Sequence, residues 1–141
     1  MKKKLIAILL VVTLIVCVIP TYAFAESPTV NSFSTNSLSE EIIIYIGEIP
    51  YRVDKNVIVG YNNVVYGEEV WILQSALVAV DHQNSDVSCH PGAVDYAFGP
   101  NTYNATKAFQ AYSNVLFPLD TIAVDGACGP NTWTKLAIIC N

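Results

Sequence analysis

The chain has 141 residues, of which 52% are hydrophobic and only 13% charged, with a formal net charge of −5. That length suits one domain with a modest core rather than two. The acidic balance disfavours nucleic acid and anionic membranes as partners.

Met1-Lys2-Lys3-Lys4 is a basic start, Leu5 to Ile19 is an almost unbroken apolar run, and Ala23-Phe24-Ala25 offers small residues at peptidase spacing. This is the layout of a secretory signal cleaved after Ala25. The apolar run falls short of the roughly 20 residues that span a bilayer, so no stable membrane span is expected after cleavage. Cys17 could belong to a lipoprotein signal, but Val16 stands where a small residue is wanted, and Cys17 reads as an ordinary apolar signal residue. Residues 1–25 hold three of the seven basic side chains and none of the twelve acids, which leaves the mature part at about −8.

Residues 26–40, rich in Ser, Thr and Asn, read as a flexible leader. Residues 41–66 read as a β-hairpin extension. Ile42 to Ile46 is one strand, Val57 to Tyr61 the other, and Pro50 and Asp54-Lys55-Asn56 mark the break and turn between them. A lone two-stranded hairpin is marginal in water and should pack on the helical region C-terminal to it.

From Gly67 the period changes. Val70, Leu73, Leu77 and Val80 recur at helical spacing behind Glu68 and Glu69, whose charges suit a helix N-terminus. Polar residues from Asp81 end this first helix. Then residues 93–103, Ala-Val-Asp-Tyr-Ala-Phe-Gly-Pro-Asn-Thr-Tyr, recur as Ala-Val-Asp-Gly-Ala-Cys-Gly-Pro-Asn-Thr-Trp at 123–133, identical at eight of eleven positions. Each copy is a turn followed by a helix start, because proline is favoured at the first helical position. The launched helices should run from about Pro100 to Ser113 and from about Pro130 to Ile139. The resulting expectation is a mainly α fold: a compact three-helix bundle over 67–141, with an internal two-fold loop-helix repeat, preceded by the short hairpin. Leu73, Leu77, Phe98, Phe109 and Leu136 would fill its core.

Three blocks in this order resemble the small three-helix peptidoglycan-binding domain found on bacterial cell-wall hydrolases. They are Val70-x-x-Leu73-Gln74-x-x-Leu77; Asp95 to Thr102 with Ala105 and Phe109-Gln110; and Asp125-Gly126-x-x-Gly129-Pro130-x-Thr132-Trp133-x-x-Leu136. The match covers roughly residues 67–139. It departs from the family pattern at Tyr96, where glycine is usual, and in a longer loop from Asp81 to Ala93. The resemblance implies a secreted, wall-located, non-catalytic protein whose partner is peptidoglycan or a related polymer, with a wall hydrolase as a further partner. The rival readings are an exported protein-interaction module that regulates a wall enzyme, and an unrecognised hydrolase.

Most motif residues read as structural. Gln74 and Gln110 should be buried amides bonded to loop backbone, and Asp95 and Asp125 should cap turns. The candidate ligand contacts are Tyr96, Asn101, Tyr103, Asn131 and Trp133, at the starts of the launched helices. There, free amides suit a carboxylate and aromatic rings could pack on sugars or methyl groups. Trp133 as core is the competing reading.

Three cysteines lie beyond the signal, with His82 and His90 and no CxxC or HxxxH spacing, so neither a metal nor another cofactor is expected. Adjacent Cys89 and His90 rarely face each other and lack an orienting partner, so no catalytic residue is assigned. Antiparallel helices would bring Cys89 near Cys140. That predicts a disulfide between them, with Cys128 buried and free.

Overall fold

The computed structural model describes residues 40–141. The signal-like segment 1–25 and nearly all of the 26–40 leader lie outside the described residues. In chain order come strands β1 (Glu41–Ile46) and β2 (Ile49–Asp54), then helices α1 (Glu68–Gln83), α2 (Pro100–Leu116) and α3 (Pro130–Cys140).

The strands pair antiparallel, with Ile44 opposite Tyr51 and Ile46 opposite Ile49. The turn is Gly47-Glu48, and Gly47 takes the positive φ (66°) that two-residue hairpin loops require. The second strand is therefore not Val57–Tyr61. Pro50 does not break the pairing, since each strand of a two-stranded sheet is an edge on which a missing N–H can be tolerated.

Among the described residues three helices are present, but they do not form a bundle with a hairpin in front of it. The hairpin is part of the core. Ile44 and Val53 are buried in the same cluster as Val70, Leu73, Leu77, Phe109 and Leu136, and β1 lies against both α3 and α1. The reason is visible in α1. Besides Val70, Leu73, Leu77 and Val80, it buries Ile72, Gln74, Ser75 and Ala76. A helix buried on most of its circumference needs covering on more than one side, and α2 and α3 leave part of α1 to be covered by β1. The hairpin supplies the remaining cover, tied at its far side where Asn141 Oδ1 accepts from the Tyr45 amide at 3.1 Å.

Residues 57–67 form a strap rather than a strand. Val59 exchanges backbone hydrogen bonds with Cys128 at 2.8 and 2.9 Å, and further along the strap the Phe98 amide donates to Val65 and the Gly67 amide to Tyr96. The strap thus stitches together the two loops that precede α2 and α3. It completes the backbone bonding of loop segments that would otherwise hold unpaired buried groups.

The helix limits follow local chemistry. Pro100 and Pro130 open α2 and α3, where a missing N–H costs nothing. At the end of α1, Asn84 returns both its amide (3.0 Å) and its Nδ2 (3.1 Å) to the Val80 carbonyl, and Tyr112 donates its hydroxyl to Asn84 Oδ1 at 2.9 Å. This cap therefore also fixes α1 against α2.

Candidate functional site

The two loops before α2 and α3 are built around buried glutamines. Gln74 Nε2 donates to Asp95 Oδ1 (2.9 Å), the Ala97 carbonyl (3.0 Å) and Thr102 Oγ1 (3.1 Å). Gln110 Nε2 donates to Asp125 Oδ1 (3.0 Å), the Ala127 carbonyl (2.9 Å) and Thr132 Oγ1 (3.1 Å). With two hydrogens and three acceptors, one hydrogen is shared in each case. The glutamine oxygens accept in parallel ways, from the Asp95 and Tyr96 amides in one loop and the Gly126 amide in the other. Both aspartates also accept from the amide two residues on, at 3.1 and 2.9 Å. Asp95 and Asp125 therefore act as turn caps. Donation from Gln74 and from the Ala97 amide holds the Asp95 carboxyl below its ordinary value of 3.8.

Outside each glutamine lies a shallow cleft. The first, about 390 Å³, is lined by Pro91, Ala93, Asp95, Pro100, Asn101 and Thr102. The second, about 230 Å³, is lined by Ile58, Ile122, Asp125, Pro130, Asn131 and Thr132. Gly99 and Gly129 precede the helices and offer no side-chain cap, so first-turn amides keep donors without a capping partner. The combination of amide donors with a carboxylate acceptor suits neutral groups such as hydroxyls and N-acetyl amides. A ligand carboxylate would meet the Asp95 charge.

The five expected contact residues divide. Asn101 and Asn131 are exposed, one in each cleft. Tyr96 is 44% exposed and stacks on Trp71, with ring centroids 6.1 Å apart. Tyr103 is half-buried; its ring lies over Gly126 and 5.4 Å from Tyr61. Trp133 is not a contact residue. It is 0% exposed, and its indole N–H donates to the Val57 carbonyl at 2.9 Å. An indole whose only polar group is satisfied inside the core has nothing to offer a ligand.

Beside Tyr96 stand aromatic residues that the motif reading missed. Trp71 is flanked by Tyr51 at 5.3 Å and by Tyr96. Tyr61 is 47% exposed and lies between Phe98 and Tyr103, each at 5.4 Å. Tyr66, 71% exposed, pairs with Ala97. One signal could have found Trp71: it falls off the Val70–Leu73–Leu77 stripe, a place for a large apolar residue only if something else covers it or uses it.

Cys89, Cys128 and Cys140 are unpaired, so the expected Cys89–Cys140 bond is not formed in this structure. The two do approach the same stretch of α1, where Cys89 Sγ lies 3.5 Å from the Leu77 carbonyl and Cys140 Sγ 3.9 Å from that of Ala76. Burial pushes the Cys89 thiol up to about 12, helped by Asp81, and the Cys140 thiol to about 11. Burial raises Cys128 as well. Thiols shifted in this direction are poor nucleophiles. Among the described residues no group of three or more His, Cys, Asp or Glu could hold a metal ion, and no helix is long and apolar enough to cross a membrane.

No family model matches the chain, and no curated protein or solved structure matches it either.

Proposed function

We propose that this protein is an exported, non-catalytic binder of peptidoglycan or a closely related wall polymer. In this reading, the polymer contacts the surface around the first glutamine-anchored loop. The observation that carries this is the cleft beside Gln74. Uncapped amides at the start of α2, the Asp95 carboxylate and the Asn101 amide border one opening, and exposed Tyr96 belongs to the same loop, between the lining residues Asp95 and Ala97. Donors and acceptors on a fixed backbone, next to an exposed ring, match a polymer of sugars and short peptides. Such a polymer offers amides and hydroxyls beside C–H faces. The Gln74 bonds fix that backbone, so little ordering would be lost on binding.

The sequence-level resemblance to wall-binding domains supports the same reading, on the spacing of Leu73-Gln74, Gly99-Pro100-Asn101-Thr102 and Gly129-Pro130-Asn131-Thr132. The test is co-sedimentation of the mature chain with purified sacculi, with soluble muropeptides assayed in the same tube. Retention in the pellet without muropeptide release is expected. Asn101→Ala should reduce retention while leaving the melting curve in place. A chain that stays in the supernatant at every wall concentration would remove the proposal, and release of muropeptides would make it a hydrolase.

A further inference from the structure

Exposed and half-buried aromatic residues lie side by side around the first loop. Tyr51, Trp71 and Tyr96 form one run of neighbouring rings, at 5.3 and 6.1 Å. Tyr61 and Tyr103 form another around Phe98, at 5.4 Å. The runs meet at residues 96–98, where Tyr66 is held opposite Ala97. The contributing segments are β2, the strap, α1, the first loop and α2. Their backbone is pinned there by the Phe98-to-Val65 and Gly67-to-Tyr96 hydrogen bonds. Three of these rings, Tyr61, Tyr66 and Tyr96, are exposed over close to half of their surface or more. A grouped, exposed and positionally fixed set of amphipathic rings is a binding surface more often than a solvated one.

Charge narrows the occupant. Glu68 and Glu69 open α1 just before Trp71, and Asp95 precedes Tyr96. The nearby cations are engaged: Lys107 lies over the Tyr103 ring at 5.6 Å, and Arg52 pairs with Glu41 at 3.1 Å. Strands of nucleic acid need a basic groove beside their stacking rings, and anionic wall polymers need cations too. Neither finds them here. An uncharged chain with apolar C–H faces and polar edges meets both requirements: rings for its faces, and the adjoining Asp95–Asn101 cleft for its amides and hydroxyls.

We propose that this aromatic band is a stacking surface for an uncharged N-acetylated glycan strand, so that the polymer is held by its sugars rather than by its stem peptides. The choice of polymer rests on the wall-binding reading; the geometry of the band does not. Pyranose C–H groups pack against the negative ring faces, and each ring should change affinity by roughly three- to tenfold.

The chain has two tryptophans, Trp71 in the band and Trp133 in the core. Fluorescence titration with N-acetylglucosamine hexamer, which carries no charge, should therefore report on Trp71. The expected result is saturable quenching that is absent in Trp71→Phe and weakened about three- to tenfold in each of Tyr61→Ala, Tyr66→Ala and Tyr96→Ala. Tyr66→Ala is the safeguard, because its ring is the most exposed and its loss should leave the melting curve unchanged. Retention on sacculi with no response to the hexamer overturns the band but not wall binding. Response to glycan without retention on sacculi keeps the band and removes the wall. Glycan affinity unchanged in all three tyrosine variants, or quenching by phosphatidylcholine vesicles in its place, overturns the band.

Discussion

The two loops that launch α2 and α3 share a hydrogen-bond scheme but face different environments. In the first, the position after the aspartate is Tyr96, held at φ 65° and turned to solvent. In the second it is Gly126 at φ 79°, buried beneath the Tyr103 ring. Phe98 in the first corresponds to fully buried Cys128 in the second, and half-buried Tyr103 to fully buried Trp133. The second copy has been absorbed by the core, with the hairpin and strap packed over it. The first copy buries Phe98 but keeps Tyr96 at the surface and Tyr103 half in water. The same framework thus serves packing at one end and exposure at the other, and a search for function belongs at the first loop.

Substitutions at equivalent positions should separate the two. Trp133→Ala removes a fully buried indole and its bond to Val57, and should cost about 3–5 kcal/mol in a denaturant titration. Tyr103→Ala should cost well under half of that, because its ring is already half in water. Equal losses would mean that both loops are core. Next comes the position with positive φ. Gly126→Ala places a methyl group 2.3 Å from the Tyr103 ring, in a backbone conformation that disfavours side chains. It should destabilise by about 1–3 kcal/mol. Tyr96→Gly relieves the equivalent strain, worth about 1–2 kcal/mol, but loses the stack on Trp71. Its net effect should stay within about 1 kcal/mol. A Gly126→Ala protein as stable as the parent would show that the Tyr103 ring is free to move off the second loop.

These contrasts also mark what could be read from the sequence. The helices were legible because their signals are local: Val70, Leu73, Leu77 and Val80 at helical spacing, and proline behind glycine at residues 100 and 130. The glutamine anchors were legible through the resemblance, in Leu73-Gln74 and Phe109-Gln110, and the aspartates they bond recur thirty residues apart. The second strand was misplaced because Val57 to Tyr61 has β-type composition, yet its partner is Cys128, far along the chain. Pairing across such a separation leaves no local trace. The short Gly47-Glu48 turn, by contrast, was a local signal that Pro50 obscured. The bundle expectation failed for a related reason. An apolar stripe counts the residues that face one neighbour, and α1 has neighbours on several sides. At the candidate site, the repeat pointed to Tyr96 and Asn101 but pointed equally to Trp133, since identity of sequence says nothing about which copy ends up covered. Tyr61, Tyr66 and Trp71 lie outside the repeat and come together only through the strap.

A smaller effect tests the first loop in acid. The folded protein holds Asp95 below its ordinary value of 3.8 through the Gln74 and Ala97 donors, so the native state keeps its carboxylate where an unfolded chain would take up a proton. The carboxylate therefore contributes stability that is fully present above the unfolded value. This contribution is lost as pH falls from about 4 through the lower folded value. Asp95→Asn cannot titrate. Its stability should consequently be lower than the parent's at neutral pH, and the gap should narrow in acid, with the two denaturation midpoints converging below about pH 4. Because this carboxyl is exposed, the gap should be modest and should shrink in high salt. A constant gap from neutral pH into strong acid would mean that Gln74 holds the loop without help from the charge. Asp95 would then be available to a ligand in the cleft at no cost to the turn.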